Sequence, residues 1–193
     1  IVAVIGDSTF YHSGMTGLLD VAYNKGTATV IILDNSSTAM TGSQENPGTG
    51  FTLSGEQTVS ADLELLARAM GIRRVRVVSP YNLAETEQAV REEIAAPEPS
   101  VIISRAPCVL LKRHRVLSGQ PLSVDETLCR GCRQCLSIGC PALEWRDEEG
   151  VTTDGKRRKG RSLINPLLCV GCDVCGQICE FGAIQKPQGN RQA

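Results

Sequence analysis

The sequence predicts an α/β segment built on a parallel sheet, followed by a small α+β module rich in cysteine. Three observations carry that prediction. From residue 1 to about 105, short β-branched runs alternate with helix-length amphipathic stretches, the grammar of strands joined by crossover helices and covered on both faces. Eight of the nine cysteines lie between Cys129 and Cys179, leaving Cys108 apart. The 193 residues, 41% of them hydrophobic, suffice for one or two small domains.

Taken in order, Ile1 to Ile5 is an apolar run that reads as a buried strand. Gly6, Asp7 and Ser8 form a turn, and a helix is expected from about Ser13 to Asn24. Thr29 to Leu33 is a second strand, followed by a long loop over residues 35–58, rich in Gly, Ser, Thr, Asn and Pro. Ser60 is placed to cap a helix carrying Leu63, Leu66, Ala67 and Met70, which Gly71 closes. Val75 to Val78 is a third strand. Asn82 with Glu85 makes a capping box for a helix to about Ala95, and Val101 to Ser104 is a fourth strand. Residues 106–122 read as a linker, 123–186 as the cysteine module, and 187–193 as a polar tail.

Charge and hydropathy exclude several classes. Twenty Lys and Arg against 21 Asp and Glu leave a net charge of −1, unlike a nucleic-acid binder, which is basic overall. No apolar run approaches the length of about 18 residues that spans a membrane, and no secretory signal opens the chain. The location expected is cytoplasmic. A disulfide framework suits small secreted chains, so clustered cysteines beside an ordinary α/β core point to metal.

The cysteine module is a duplication. Cys129-Arg-Gly-Cys132-Arg-Gln-Cys135 is matched by Cys169-Val-Gly-Cys172-Asp-Val-Cys175, and Ala142-Leu143 by Ala183-Ile184, with an insertion at about residues 144–165. Three thiolates within seven residues can meet three irons of a cubane, the fourth iron taking a cysteine from elsewhere. In the bacterial two-cluster pattern that cysteine comes from the other run. One [4Fe-4S] cluster then takes Cys129, Cys132, Cys135 and Cys179, and the second takes Cys169, Cys172, Cys175 and Cys140. Structural zinc also uses paired cysteines, but it accounts for neither the third cysteine of each run nor the fourth. The module resembles bacterial two-cluster ferredoxin domains, with two departures: four residues, not three, precede Cys140, and Glu180 rather than proline follows Cys179.

In the first segment, Asp7 follows the first strand and Asn35 the second, with 26 residues between Ser8 and Asn35. Parallel neighbouring strands bring both to the carboxyl edge of the sheet, where open α/β folds bind ligands. A carboxylate, an amide oxygen and a backbone carbonyl form a partial Mg2+ shell, completed by phosphate oxygens and water. A helix opening near Ser13-Gly14 would aim its amides at the same phosphates. An Asp and an Asn in such loops also serve as plain turn residues.

The wording around them is more specific. Gly6-Asp7-Ser8 and Asn35 at this spacing look like the metal and diphosphate motif of thiamine diphosphate enzymes. Gly6 to Gly14, Leu33 to Gly42 and Pro47 to Gly50 together resemble the large, thiamine-binding subunit of indolepyruvate ferredoxin oxidoreductase, which ends in a two-cluster ferredoxin domain. The resemblance implies a thiamine diphosphate-binding sheet, present in part. It implies Mg2+ held by Asp7, Asn35 and the Ser37 carbonyl. Gly6, Ser8 and the Thr38-to-Gly42 loop, Thr41 included, would line the diphosphate. It also implies oxidative decarboxylation of an aryl 2-oxoacid with CoA, a smaller partner subunit, and ferredoxin as electron acceptor. On that likeness Ile1 opens the later part of a longer subunit, whose earlier part supplies the rest of the cofactor site. An electron-transfer adaptor lacking its own catalytic cofactor is the competing expectation.

A few residues stand apart from these motifs. His12 neighbours the Asp7 site and has the chemistry to move a proton or meet a substrate carboxylate; an ordinary loop hydrogen bond is the plainer role. His114 falls in the basic stretch Lys112–Arg115, expected to be solvated. Cys108 reads as a buried free thiol. The run from Lys156 to Arg161 reads as a solvated hairpin tip or as a docking patch for an acidic electron acceptor. Trp145 is expected to pack the insertion onto the module.

Overall fold

The computed structural model describes residues 1–111 and 119–186, and the chain divides into two compact units, Ile1–His114 and Arg115–Ala193. His114, the rest of Lys112–Arg115 and the tail Pro187–Ala193 lie outside the described residues.

The first unit is a four-stranded parallel sheet in the order β1-β2-β4-β3, formed by Val2–Gly6 (β1), Thr29–Asp34 (β2), Ser100–Arg105 (β4) and Arg74–Val78 (β3). Helices α2 (Met15–Tyr23) and α3 (Leu63–Ala69) lie on one face. There Phe10, Leu18, Ile32, Leu63, Ala67 and Ile103 form the larger core. On the other face α4 (Leu83–Ile94) packs Ala89 against Val78 and Ile102. Each Leu or Phe so buried contributes about 1.5–3 kcal/mol relative to an exposed position.

Coverage is not complete on the α4 face. Val2 and Val4 share that face with Ile31, since Val4 stands opposite Ile31 in the ladder, and Val4 remains 62% exposed. A helix about 10 Å wide spans roughly two strands set about 4.8 Å apart, so α4 covers β3 and β4 and leaves β1 bare.

Two helix starts differ from the sequence expectation. Helical backbone begins at Asp7, with α1 (Asp7–Thr9), a π-turn at Phe10–Gly14 and then α2 in unbroken succession. Ser13 and Gly14 therefore lie inside the helical stretch and cannot open it toward a phosphate. The cap of α3 is Asp62, whose carboxylate accepts from the Glu64 and Leu65 amides. Ser60 instead donates its hydroxyl to the Gly48 carbonyl. The Asn82 cap of α4 is as expected, its side chain accepting from the Glu85 amide.

The second unit repeats itself in its backbone. Gly131 and Gly171 have φ of 68° and 72°, and Arg133 and Asp173 both have φ of 64°. Each left-handed pair leads into a short helix, a 3-10 turn at Gln134–Ile138 and α5 at Val174–Ile178. The loop entrances are held alike: the Cys129 amide donates to the Asp125 carbonyl and the Cys169 amide to Asn165, both at 3.0 Å. Between the repeats, β6 (Leu143–Arg146) pairs antiparallel with β9 (Arg161–Ile164), and β7 (Gly150–Val151) with β8 (Arg157–Arg158). Strands β5 (Ser123–Val124) and β10 (Ile184–Gln185) pair across the module's ends. Its core is small, with Leu122, Cys135, Cys175 and Ile184 at the centre.

Candidate functional site

Strands β1 and β2 are adjacent and parallel, with Gly6 opposite Leu33, so Asp7 and Asn35 leave the same edge of the sheet one residue and two residues later. Asp7 is 3% exposed. Burial pushes its carboxyl up from the usual carboxylate range and the charge of Asp34 adds to that, while the amides of Ser8 and Ser37 and the side chain of Asn46 oppose it. The Ser8 amide donates to Asp7 Oδ1 at 2.7 Å. Asn35 Oδ1 accepts from the Ser37 amide at 3.0 Å, an Asx turn that holds the loop against the strand end.

Two buried polar atoms here have no hydrogen-bond partner, Ser37 Oγ and Asn46 Nδ2. Asn46 Nδ2 is near enough to favour the Asp7 charge yet makes no full bond to it. A buried carboxyl held up by desolvation, beside unsatisfied polar atoms, is a donor set that a divalent cation and its water would complete. Among the described residues no cationic side chain pairs with Asp7, whereas Asp34 is answered by Arg105 at 2.7 Å.

The other residues singled out from the sequence gather nearby. Thr38 Oγ1 donates to Ser8 Oγ at 2.8 Å, tying the loop after β2 to the start of α1. Thr41 and Gly42 end a 3-10 turn, Gly42 at φ 115°, a conformation that favours glycine. A Cβ on Gly6 would meet nothing within 4 Å, so open space adjoins it. His12 is exposed and lines an open cavity of about 510 Å³ with Thr38, Thr41 and Asn46. It sits in the π-turn, a distortion common at functional sites. Asn46 and Tyr11 were not among the sequence candidates. Tyr11 donates to the Ala61 carbonyl at 2.7 Å and packs so close to Gly48 that a Cβ there would strike its hydroxyl. The Asn46-Pro47 pair within a Gly- and Thr-rich loop was the available signal.

In the second unit the repeats exchange partners. The Asp125 amide donates to the Ala183 carbonyl at 2.7 Å, and the Asn165 amide to Ala142 at 2.8 Å. The entrance of each cysteine loop is thereby bonded to the exit of the other. Cys129, Cys132, Cys135 and Cys179 line one enclosed void together. Burial raises the Cys135 thiol, a hydrogen bond from Ser162 opposes this, and Cys132, Cys179 and Cys129 raise it further. Burial likewise pushes Cys175 up to about 11, with Cys172 and Cys169 adding to it. Such thiols stay protonated alone, and a bound cationic core is what lets them ionise together. Among the described residues, no three His, Cys, Asp or Glu side chains stand close enough to share one metal ion; a four-iron cluster asks for a wider ring, one thiolate to each iron.

The insertion corrects part of the sequence reading. Arg158 and Arg161 are buried; Arg161 pairs with Glu126 at 2.7 Å and Glu148 at 3.0 Å, and Arg158 donates to the Glu148 carbonyl. Lys156, Arg157 and Lys159 remain exposed. Three of the five basic side chains of the run are therefore solvated, while the carbonyl and carboxylate of Glu148 hold Arg158 and Arg161 inward. Trp145 packs beside Gly131 and Gly160, under the Arg133 guanidinium 4.2 Å from its ring centre. Cys108 is a free thiol, partly rather than fully buried.

This arrangement, a carboxylate and an Asx loop at adjoining parallel strand ends, is that of a cofactor-binding α/β domain. Residues 1–104 match the family described as thiamine pyrophosphate enzyme, C-terminal TPP binding domain, and the chain belongs to that family. Nearly all of it is similar to the indolepyruvate oxidoreductase subunit IorA of Pyrococcus horikoshii, 39% identical over 191 residues, which are 96% of this chain and 28% of that subunit. The chain thus spans under a third of that relative's length. A stretch of 65 residues is 32% identical to Ferredoxin-3 of Nostoc sp., covering 30% of this chain and 67% of that ferredoxin. Among solved structures, the 2-oxoglutarate:ferredoxin oxidoreductase from Magnetococcus marinus shares the fold at a TM-score of 0.50 and 15% identity, over 55% of this chain and 40% of that one. No helix among the described residues is long and apolar enough to cross a membrane.

Proposed function

We propose that this chain holds the diphosphate end of thiamine diphosphate, and the electron exit, in a cytoplasmic 2-oxoacid:ferredoxin oxidoreductase of the indolepyruvate type. The observation that carries the reading is the buried Asp7, without a cationic partner among the described residues, beside the orphaned Ser37 Oγ and Asn46 Nδ2. An adaptor that merely docked a ferredoxin module would have no use for such a site.

In this reading residues 1–105 contribute to the thiamine site. Asp7, Asn35 and the Ser37 carbonyl hold Mg2+, while Gly6, Ser8, Thr38, Thr41 and Gly42 line the diphosphate. The thiamine ring supplies the electron sink for loss of CO2 from an aryl 2-oxoacid. His12, facing the open cavity, meets the substrate carboxylate or carries a proton. Residues 123–186 hold two [4Fe-4S] clusters, on Cys129, Cys132, Cys135 and Cys179 and on Cys169, Cys172, Cys175 and Cys140. Bound there, the clusters would supply one-electron steps, by which the two electrons released on acyl transfer to CoA would reach ferredoxin singly. A smaller subunit completes the assembly.

The test is a titration of thiamine diphosphate with and without Mg2+ into the complete complex. Mg2+-dependent binding is the expected result, and its absence overturns the reading. Anaerobic preparations should carry about eight iron atoms per chain. A screen of 2-oxoacids read by viologen reduction then identifies the substrate, with aryl pyruvates expected to be turned over fastest.

A further inference from the structure

The two cysteine loops are built alike but bond their sulfurs differently: Cys169 Sγ accepts from the Leu122 amide at 3.5 Å, whereas Cys135 Sγ meets a side-chain hydroxyl. Ser162 is buried on β9, and its Oγ lies 3.0 Å from Cys135 Sγ. A metal-bound thiolate carries no proton, so with a cluster present the hydroxyl is the donor. Pairing with β6, where Ser162 stands opposite Trp145, fixes its position, and burial keeps water from competing. Cys175 occupies the matching place in the second loop. Its charged form is favoured by the backbone amides of Cys175 and Gly176, and among the described residues no side-chain hydroxyl reaches it.

Charge does not supply the same distinction. Arg130 and Arg133 stand where the second loop has Val170 and Asp173, but these charges are answered locally. Arg130 pairs with Asp154 at 2.5 Å, Arg133 with Asp147 at 3.9 Å, and Asp173 with Lys186 at 3.8 Å. Among the described residues the donor to Cys135 is a buried side-chain hydroxyl, and the second loop has backbone amides at Cys169 and Cys175 instead.

A hydrogen bond to a ligating sulfur stabilises the reduced, more negative cluster and so raises its potential. We propose that Ser162 raises the potential of the cluster on Cys129, Cys132, Cys135 and Cys179, leaving the other cluster's potential to backbone donors. The inference depends on the two-cluster reading above. In the test below dithionite supplies the electron that would reduce the cluster beside Ser162 by one, and no bond or proton moves.

The experiment is an anaerobic dithionite titration of the complete complex, followed by EPR. The unaltered protein should show two separate midpoints. Ser162→Val should lower one midpoint alone, while Ser162→Thr, which keeps the hydroxyl, should leave it in place. A tenfold change in where the electron resides is a shift of about 59 mV for a one-electron couple. The absence of a shift of either midpoint in Ser162→Val overturns the proposal, and Ser162→Ala is read in its place if Ser162→Val loses its clusters. So does Val behaving as Thr, or both midpoints moving together. Fewer than two clusters in the unaltered protein refutes instead the two-cluster reading on which the proposal stands.

Discussion

Asp7 and Asp34, at the ends of neighbouring parallel strands, repel one another, and Arg105 neutralises Asp34 alone. The fold thus carries an electrostatic cost at the very place where a cation would be useful. Removing that cost and removing the cation site are the same substitution.

Asp7→Asn should therefore stabilise the metal-free protein while abolishing Mg2+-dependent thiamine diphosphate binding. Melting curves with and without Mg2+ and cofactor check both halves. Iron content should not change. A variant that still gains stability from Mg2+ and cofactor together removes Asp7 from the metal site.

The same group sets a pH dependence. Burial raises the Asp7 carboxyl above its unfolded value of 3.8, so the folded protein holds this proton more tightly. Its stabilising contribution is complete below about pH 3.8 and is lost as pH rises through the raised value. The stability gap favouring Asp7→Asn should open over that rise, and Mg2+ should close it by binding the carboxylate. Thermal denaturation of both proteins from acid to neutral pH measures the gap; a gap that narrows as pH rises contradicts the assignment.

Arg161 and Lys156 belong to one basic run and should behave oppositely. Arg161→Ala strips two carboxylates of a buried partner and should cost about 1–3 kcal/mol. Lys156 is 65% exposed and 3.9 Å from Asp154, so Lys156→Ala should cost under about 0.5 kcal/mol. Denaturant unfolding of the two variants separates them.

Gly131 and Gly182 make a second contrast. Both have positive φ, 68° and 59°, so alanine costs about 1 kcal/mol at either from backbone strain. At Gly131 the added Cβ would also strike the Gly160 carbonyl, while at Gly182 it would meet nothing within 4 Å. Gly131→Ala should lose iron on desalting, and Gly182→Ala should keep it.

The strands were legible because β-branched runs such as Thr29 to Leu33 and Val101 to Ser104 have few other stable uses. The first helix start was not, since Asp7, Ser8 and Thr9 read as turn residues until Phe10 and Leu18 are seen in one core. Ser60 and Asp62 are both good caps. What decides between them is the buried Leu63, which must open the helix. Asp7 and Asn35 stood out through the resemblance of the wording around them rather than by spacing, and the parallel pairing of β1 and β2 brings both to one edge. Asn46 did not, because its value lies in an amide left unpaired by folding. Likewise the inward turn of Arg158 and Arg161 follows from their partners Glu126 and Glu148, which a run of charges conceals. The repeat of the cysteine loops was plain in sequence, whereas Ser162 lies in the insertion, where the repeat offers no guide.

Strand β1 lies at the rim of its sheet with Val2 and Val4 uncovered. Open amides along a flat, greasy rim invite another strand to add on. A preparation of these 193 residues by themselves should clump in proportion to its concentration, and charged replacements at Val2 and Val4 should disperse it. A neighbour seated on that rim would then act as a chaperone as much as a partner.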